Sequence, residues 1–520
     1  MKSRDLWSEL RIAGSAAVRV SLLGVAGLAA IHGEHEATVY ETGPKLPTTA
    51  DARHVLSSTP RHIEWVTAPF GPKRILAFVV SPERSDRAPV VIVTSHNEGA
   101  SDWARAVADR VAEAGFIAVV PDELTGEGPG GGDTDSFRAA GAVQSALARL
   151  GPQQISGRVQ SVQNFALTSP ASNGIATRLD ISPGEGFISA AVQAGAVAMP
   201  AKFAFSDEGF AAALAFIRKT TNDHPVFTAR TVQNEHAMHV ALLAKAANKT
   251  AEIGQPGQPG GDTSYYQKRP DLPADFYTAK ATVAHSKLRK EFMDIPVGEV
   301  KLHTWIEYPA VQGRVGTVIV MQHGAGMDDW VRAVADQLAQ SGFLAVAPDV
   351  WSGTGPGGGG LDSFQFVDDA MKASAKVTAE ETMRRFKAAR EYALKLPQAN
   401  GKSASLGFCA GGGNSFRFAG EVPELNGAVV FYGGPPDDAV MEKIRSPVIG
   451  FYGENDVRVT AAVEPTAAKM RTLGKTYEPH VYSKTTHSFV LFQEVGGNPS
   501  AVKDAWPRAI AFLKKQLAGD

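Results

Sequence analysis

Three residues in the last quarter of this chain have the chemistry to break an acyl bond if the fold brings them together. Cys409, the only cysteine in 520 residues, sits in Leu406-Gly407-Phe408-Cys409-Ala410-Gly411-Gly412-Gly413, which has the form G-x-C-x-G. Asp456 comes 47 residues later, in Gly453-Glu454-Asn455-Asp456-Val457-Arg458-Val459. His487 comes 31 after that, in Lys484-Thr485-Thr486-His487-Ser488-Phe489. A thiolate attacks a carbonyl carbon, an imidazole moves the proton, and a carboxylate orients the imidazole. The thiolate is the reactive form, and a helix N-terminus or a nearby imidazolium lowers a cysteine pKa from its usual ~8.5.

The surrounding segments suit that task. A run of small residues, 401–406, reads as a strand entering the cysteine, and 411–418 reads as the start of a helix leaving it. A strand that turns sharply into a helix leaves the apex residue strained, and its neighbours must pass without Cβ atoms. Asp456 and His487 each follow an apolar strand, 446–452 and 479–483. Nucleophile, acid and histidine, each in a loop just after a strand, is the order found in α/β-hydrolases.

The chain also repeats itself. Residues 91–137 align with 318–364 at a constant offset of 227, with 28 identities in 47 positions and no gap. A period this long is a duplicated domain. Each copy reads as strand, amphipathic helix and parallel strand, so the expected fold is two α/β-hydrolase-like lobes, each a doubly wound, mostly parallel sheet. Segments 73–80 and 300–307 are expected as antiparallel edge strands. The offset places Ser182 opposite Cys409, but there the elbow is eroded: Asp180 replaces the first glycine and Pro183 follows the apex. The final helix of the first copy begins at Ala213, 31 residues after Ser182, whereas its counterpart at Ala509 lies 100 after Cys409. The first copy therefore lacks the stretch that supplies an acid and a histidine. The expected organisation is a leader (1–57), a degenerate hydrolase-like domain (58–222), a helical extension with a Pro/Gly linker (223–286) and a catalytic domain (287–520).

From about residue 288 to the end, the motifs G-F-C-A-G-G, G-E-N-D-V-R-V and T-H-S-F resemble those of the dienelactone hydrolase family in order and spacing. The resemblance implies Cys409 as nucleophile, His487 as base and Asp456 as its orienting acid. It also implies an oxyanion hole from the backbone N–H groups of Ala410 and Gly324. Two positions depart from the family pattern. His323 stands where the family often has a glutamate near the thiol, and Leu491 stands near the place of its substrate-binding arginine. His323 is thus a substrate-contact candidate. Trp351, Tyr432 and Phe489 are candidate pocket aromatics, with core packing the competing reading. The implied function is a carboxylic-ester hydrolase, without cofactor or metal, cleaving a small ester or lactone. A general carboxylesterase or polyester-type hydrolase is the alternative within enzymes, and a non-enzymatic tandem binding module the alternative outside them.

Composition narrows the partners. With 52 basic and 54 acidic residues, nothing favours nucleic acid. One cysteine excludes an intrachain disulfide and fits a cytoplasmic protein. The apolar run 20–31 has the length of a signal-peptide core, which would make the protein secreted or periplasmic; its long lead-in, which carries Asp5 and Glu9, speaks for an amphipathic or disordered leader instead. No segment reads as a stable membrane span. The first lobe is expected to pack on the second, in place of a homodimer partner or as a wall of the pocket, and homo-oligomerisation stays open. The glycine runs 126–132 and 353–360 lack the lysine of a phosphate loop. His236 and His239, with His224 upstream, read as a helix face sooner than as a metal site.

Overall fold

The computed structural model describes residues 44–59, 61–139, 141–182, 186–194, 197–225, 271–276, 278–493 and 497–519. The apolar run 20–31, the stretch with His236 and His239, and the Pro/Gly run 254–261 lie outside them. Among the described residues no helix is long and apolar enough to cross a membrane.

Two sheets organise the chain. The first contains β1 (His62–Phe70), β2 (Lys73–Ser81), β3 (Ala88–Thr94), β4 (Ile117–Pro121), β5 (Ser172–Ile181), β6 (Phe187–Ala194) and β7 (Val197–Ala204). Its spatial order is β1-β2-β4-β3-β5-β6-β7. The second contains β8 (Arg289–Val297), β9 (Val300–Tyr308), β10 (Val315–Met321), β11 (Leu344–Pro348), β12 (Ala399–Phe408), β13 (Gly427–Phe431), β14 (Val448–Gly453) and β15 (Tyr477–Tyr482). Its order is β8-β9-β11-β10-β12-β13-β14-β15. Helices flank both, as two α/β lobes require.

The 227-residue offset holds element by element. β1 to β5 begin and end 227 residues before β8 to β12, and the helices Asp102–Glu113 and Pro152–Leu167 precede Asp329–Gln340 and Ala379–Leu394 by the same amount. The repeat even reaches upstream of the strands. Trp103 donates its indole N–H to the Pro47 carbonyl, and Trp330 donates to that of Ala274, each at 2.9 Å. Central strands such as β3 and β10 are runs of buried aliphatic residues, because both faces of each sheet are covered.

The copies part after β5 and β12. The second sheet continues through β13, β14 and β15, all parallel, so it is mostly parallel as expected. The first turns back as β6 and β7, both antiparallel, and is mixed; only the β3–β4 and β3–β5 pairs are parallel. A parallel strand needs a crossover, and the described chain places no helix between Ile181 and β6. A second correction concerns the edges. Segments 73–81 and 300–308 are antiparallel but lie one strand in, covered by β1 and β8. Half-buried β1 and β8 have too little apolar alternation to be read as strands from sequence.

One apolar cluster runs through both lobes, joining Phe78, Val91 and Trp65 with Met321, Met371 and Phe386. Exchanged charges pin the interface. Lys372, on the helix Val367–Ser374 of the second lobe, reaches Asp135 (2.6 Å), Asp133 (3.1 Å) and Asp122 (3.6 Å) of the first. In return Arg105 of the first lobe pairs with Asp368 at 3.2 Å, and Trp65 donates its indole N–H to the same carboxylate at 2.9 Å. Removing one partner of a buried ionic group strands the others, at a cost of about 3–5 kcal/mol. Lys372→Met should therefore lower stability in denaturant titration by several kcal/mol; a loss below about 1 kcal/mol, the scale of an exposed pair, would show that the lobes do not depend on it.

Candidate active site

Cys409 occupies the turn between β12 and the helix Ala410–Glu421, with φ 54° and ψ −120°. A non-glycine residue pays for positive φ, and such strain persists only where the surroundings enforce it. Here they do. A Cβ on Gly407 would lie 1.9 Å from the Gly411 carbonyl oxygen, and one on Gly411 would lie 2.2 Å from that of Met321. The Cys409 N–H is meanwhile fixed on the Phe431 carbonyl at 3.0 Å. The thiol is thus presented, nearly buried, at the N-terminus of a helix.

Asp456 follows β14 and His487 follows β15, and the fold brings them together: His487 Nδ1 is hydrogen-bonded to Asp456 Oδ2. Asn498 steadies the histidine loop, accepting from the Thr486 N–H (3.1 Å) and donating to the Phe492 carbonyl (2.7 Å). The Tyr432 ring backs the imidazole at 4.9 Å. Burial works against a charged His487, but Asp456 and the Cys409 thiolate outweigh it and raise its pKa to about 10. Burial likewise opposes the Cys409 thiolate, and the His487 and His62 imidazoliums reverse that, holding the thiol well below its ordinary value.

His62 belongs to the first lobe, and sequence reasoning missed it. It opens β1, and its Nδ1 lies 3.7 Å from Cys409 Sγ. Its ring meets that of His487 edge-on, with centroids 5.0 Å apart. Nitrogens of both imidazoles and the sulfur all lie within 4.8 Å of one another. Glu64 Oε1 is 3.5 Å from His62 Nε2. More of the first lobe follows. Glu83 accepts the His487 backbone N–H at 3.3 Å, and the Arg84 carbonyl accepts that of Val457 at 3.2 Å. Burial and then Asp456 raise the Glu83 carboxyl to about 7. Arg458 Nη2 stands 3.3 Å from both ring nitrogens of His487. That positive charge lies against the His487 ring, beside a cluster whose donors and acceptors are suited to moving protons. Nothing marked His62 in the sequence: it has no motif, and its counterpart in the repeat is Arg289.

A cavity of about 120 Å³ opens over Cys409. Both lobes line it: Leu56, Ile63 and Glu83 from the first, Phe366, Met371 and Leu491 from the second. His323 and Gly324 also line it, and a Cβ on Gly324 would come within 4.0 Å of the sulfur. His323 is tied to Asp328 at 2.9 Å and rests edge-on against Trp330. Ala410 is the first residue of the helix behind Cys409, where a backbone N–H has no intrahelical acceptor. Trp351, Tyr432 and Phe489 are buried in the core and absent from the cavity lining. Ser182 is buried too, and its Oγ accepts the His96 N–H at 3.0 Å.

A model of the dienelactone hydrolase family matches residues 75–176 and again 302–517. The chain belongs to the dienelactone hydrolase family. Its relatives align with one lobe. A putative carboxymethylenebutenolidase of Saccharolobus solfataricus is 28% identical over 228 residues, 38% of this chain and 88% of its own. The protein usf of Aquifex pyrophilus is 31% identical over 229 residues, 42% of this chain and 95% of its own. Among solved structures, a putative dienelactone hydrolase from Klebsiella pneumoniae aligns over its full length and 44% of this chain, at 22% identity and a TM-score of 0.41.

As a dienelactone hydrolase family member the protein is a hydrolase of the ester and lactone type. Both matched segments exclude His62. The charged surroundings of Cys409 have a measurable consequence. Its alkylation by iodoacetamide should be nearly constant from about pH 6 to pH 9, where an ordinary thiol climbs through ~8.5. A rate rising about tenfold per pH unit from pH 6 to about pH 8 would show an unperturbed thiol.

Proposed function

We propose that Cys409, His487 and Asp456 form the triad of a cysteine esterase or lactonase, and that the first lobe has no nucleophile of its own. The observation that carries this reading is the strained Cys409 apex facing an imidazole whose far side is held by Asp456. In the first step the Cys409 thiolate attacks the acyl carbon, and the carbonyl oxygen becomes an oxyanion. The N–H groups of Ala410 and Gly324 are the donors we assign to it, a type of contact worth about 3–4 kcal/mol in the transition state. Collapse expels the alkoxide, which takes the proton held by His487, and leaves a thioester on Cys409. His487, now neutral, removes a proton from water, and the hydroxide attacks the thioester. The acid leaves, and the thiolate–imidazolium pair is restored.

The substrate we infer is a small ester or lactone, in keeping with the carboxymethylenebutenolidase names of several relatives and the small cavity. A neutral acyl compound, as for a general carboxylesterase, is the second reading. It is favoured by Leu491 in the cavity wall and by the ion pairs that occupy the lining arginines, Arg53 with Asp102 and Arg61 with Asp109.

Turnover of short-chain aryl esters tests the proposal. Cys409→Ala should lose at least about 10³-fold in kcat, and Asp456→Asn about 10²–10⁴-fold, because the histidine loses its orientation and charge partner. Ser182→Ala should keep full activity. Unchanged turnover in Cys409→Ala would refute the triad, and failure of the native thiol to react with a small electrophile at neutral pH would point to a binding module.

The pH profile of kcat/KM should be a broad plateau. Below it Cys409 gains a proton, at a pH well under the ordinary thiol range. Above it His487 loses the proton that the leaving alkoxide needs, near pH 10. An alkaline limb near the ordinary histidine value of ~6.5 would contradict the Asp456 and thiolate contacts.

A further inference from the structure

We propose that His62, delivered by the first lobe, holds the Cys409 thiolate at rest, so that the catalytic centre of this hydrolase is completed by its degenerate repeat. This rests on Cys409 being the nucleophile and goes beyond the triad. It answers a question raised by the second lobe alone. No carboxylate stands at the end of β10, where His323 is turned to Asp328 instead, and His487 has its Nδ1 committed to Asp456.

The geometry supports this role. His62 Nδ1 lies 3.7 Å from Cys409 Sγ, within hydrogen-bonding range of a sulfur. A protonated His62 donates from Nδ1 to the thiolate and turns Nε2 toward Glu64, 3.5 Å away. Its backbone is anchored by the preceding residue: Arg61 grips Asp109 with Nε (2.8 Å) and Nη2, and both side chains are almost fully buried. The charged groups around His62 come from both lobes. Glu64 and Glu83 belong to the first, and Cys409, His487 and Arg458 to the second. Burial and Arg458 oppose a charge on His62, and the thiolate and Glu64 restore it, so that its pKa stands above the usual value. Burial also opposes the Glu64 carboxylate, yet the close His62 imidazolium brings it down to about 2.

The residue equivalent to His62 is Arg289, at the solvent-exposed start of β8. The relatives named above align with one lobe of this chain, and the family match to the first lobe begins at residue 75. His62 therefore lies outside both matched segments. With His62 also holding the thiolate, the charge on the sulfur no longer depends on the protonation state of His487 alone.

The test uses the full-length chain and two readouts, iodoacetamide alkylation of Cys409 against pH and aryl-ester turnover against pH. In His62→Gln the midpoint of alkylation should rise by about one pH unit or more. Its kcat/KM should fall most at the acid edge of the pH plateau, about tenfold for each pH unit the midpoint moves, and recover as the pH rises and the thiolate forms without help. Glu64→Gln, a change at a partly exposed side chain, should move the midpoint the same way by less, and it decides the matter if the histidine variant does not fold. An unmoved midpoint in the folded variants, or a loss of turnover equal at every pH, would overturn the role of His62. Cys409→Ala separates the two readings. If it is inactive while the midpoint in His62→Gln is unmoved, only His62 is rejected; if it is active, the nucleophile itself is wrong.

Discussion

A thiolate taken out of water must have its charge balanced by neighbours, because an isolated buried ion costs far more than any single contact returns. Everything around Cys409 follows from that constraint. Two imidazoles stand beside the sulfur, and each is backed by a carboxylate, Asp456 behind His487 and Glu64 beside His62. Arg458 and Glu83 form the next layer of alternating charge. No single lobe holds the whole set. The same electrostatic need that makes the thiol reactive thus draws the two halves of the chain together.

The helix Val367–Ser374 links that chemistry to the packing. Val367 and Met371 face the cavity, while Asp368 and Lys372 exchange charges with Arg105 and with the aspartates of the first lobe. Trp65, three residues along β1 from His62, donates to Asp368. The interface and the cavity wall are therefore the same few residues. The position of one lobe on the other sets the shape of the space above the sulfur.

The sequence was most legible where chemistry and local geometry coincide. The elbow at Cys409 announces itself through glycines that the fold needs at Gly407 and Gly411, and the offset of 227 carries through β1 to β5 and β8 to β12. The meeting of Asp456 with His487 was legible as chain order after successive strands. What stayed hidden depends on tertiary placement. Trp351, Tyr432 and Phe489 have the right chemistry for a pocket but face inward, since large aromatic side chains serve the core equally well. The antiparallel return through β6 and β7 follows from a missing crossover, not from a local pattern. His62 could not be seen because its significance arises only once the lobes are docked.

A cavity lined by two lobes of a single chain has a property that an interface between separate chains lacks. Its walls are tethered, so their meeting is an intramolecular event, governed by an effective concentration fixed by the connecting polypeptide. Dilution, which would dissolve a site shared between subunits, leaves this one assembled. The duplication thereby yields a shared cavity whose integrity does not depend on how much protein is present.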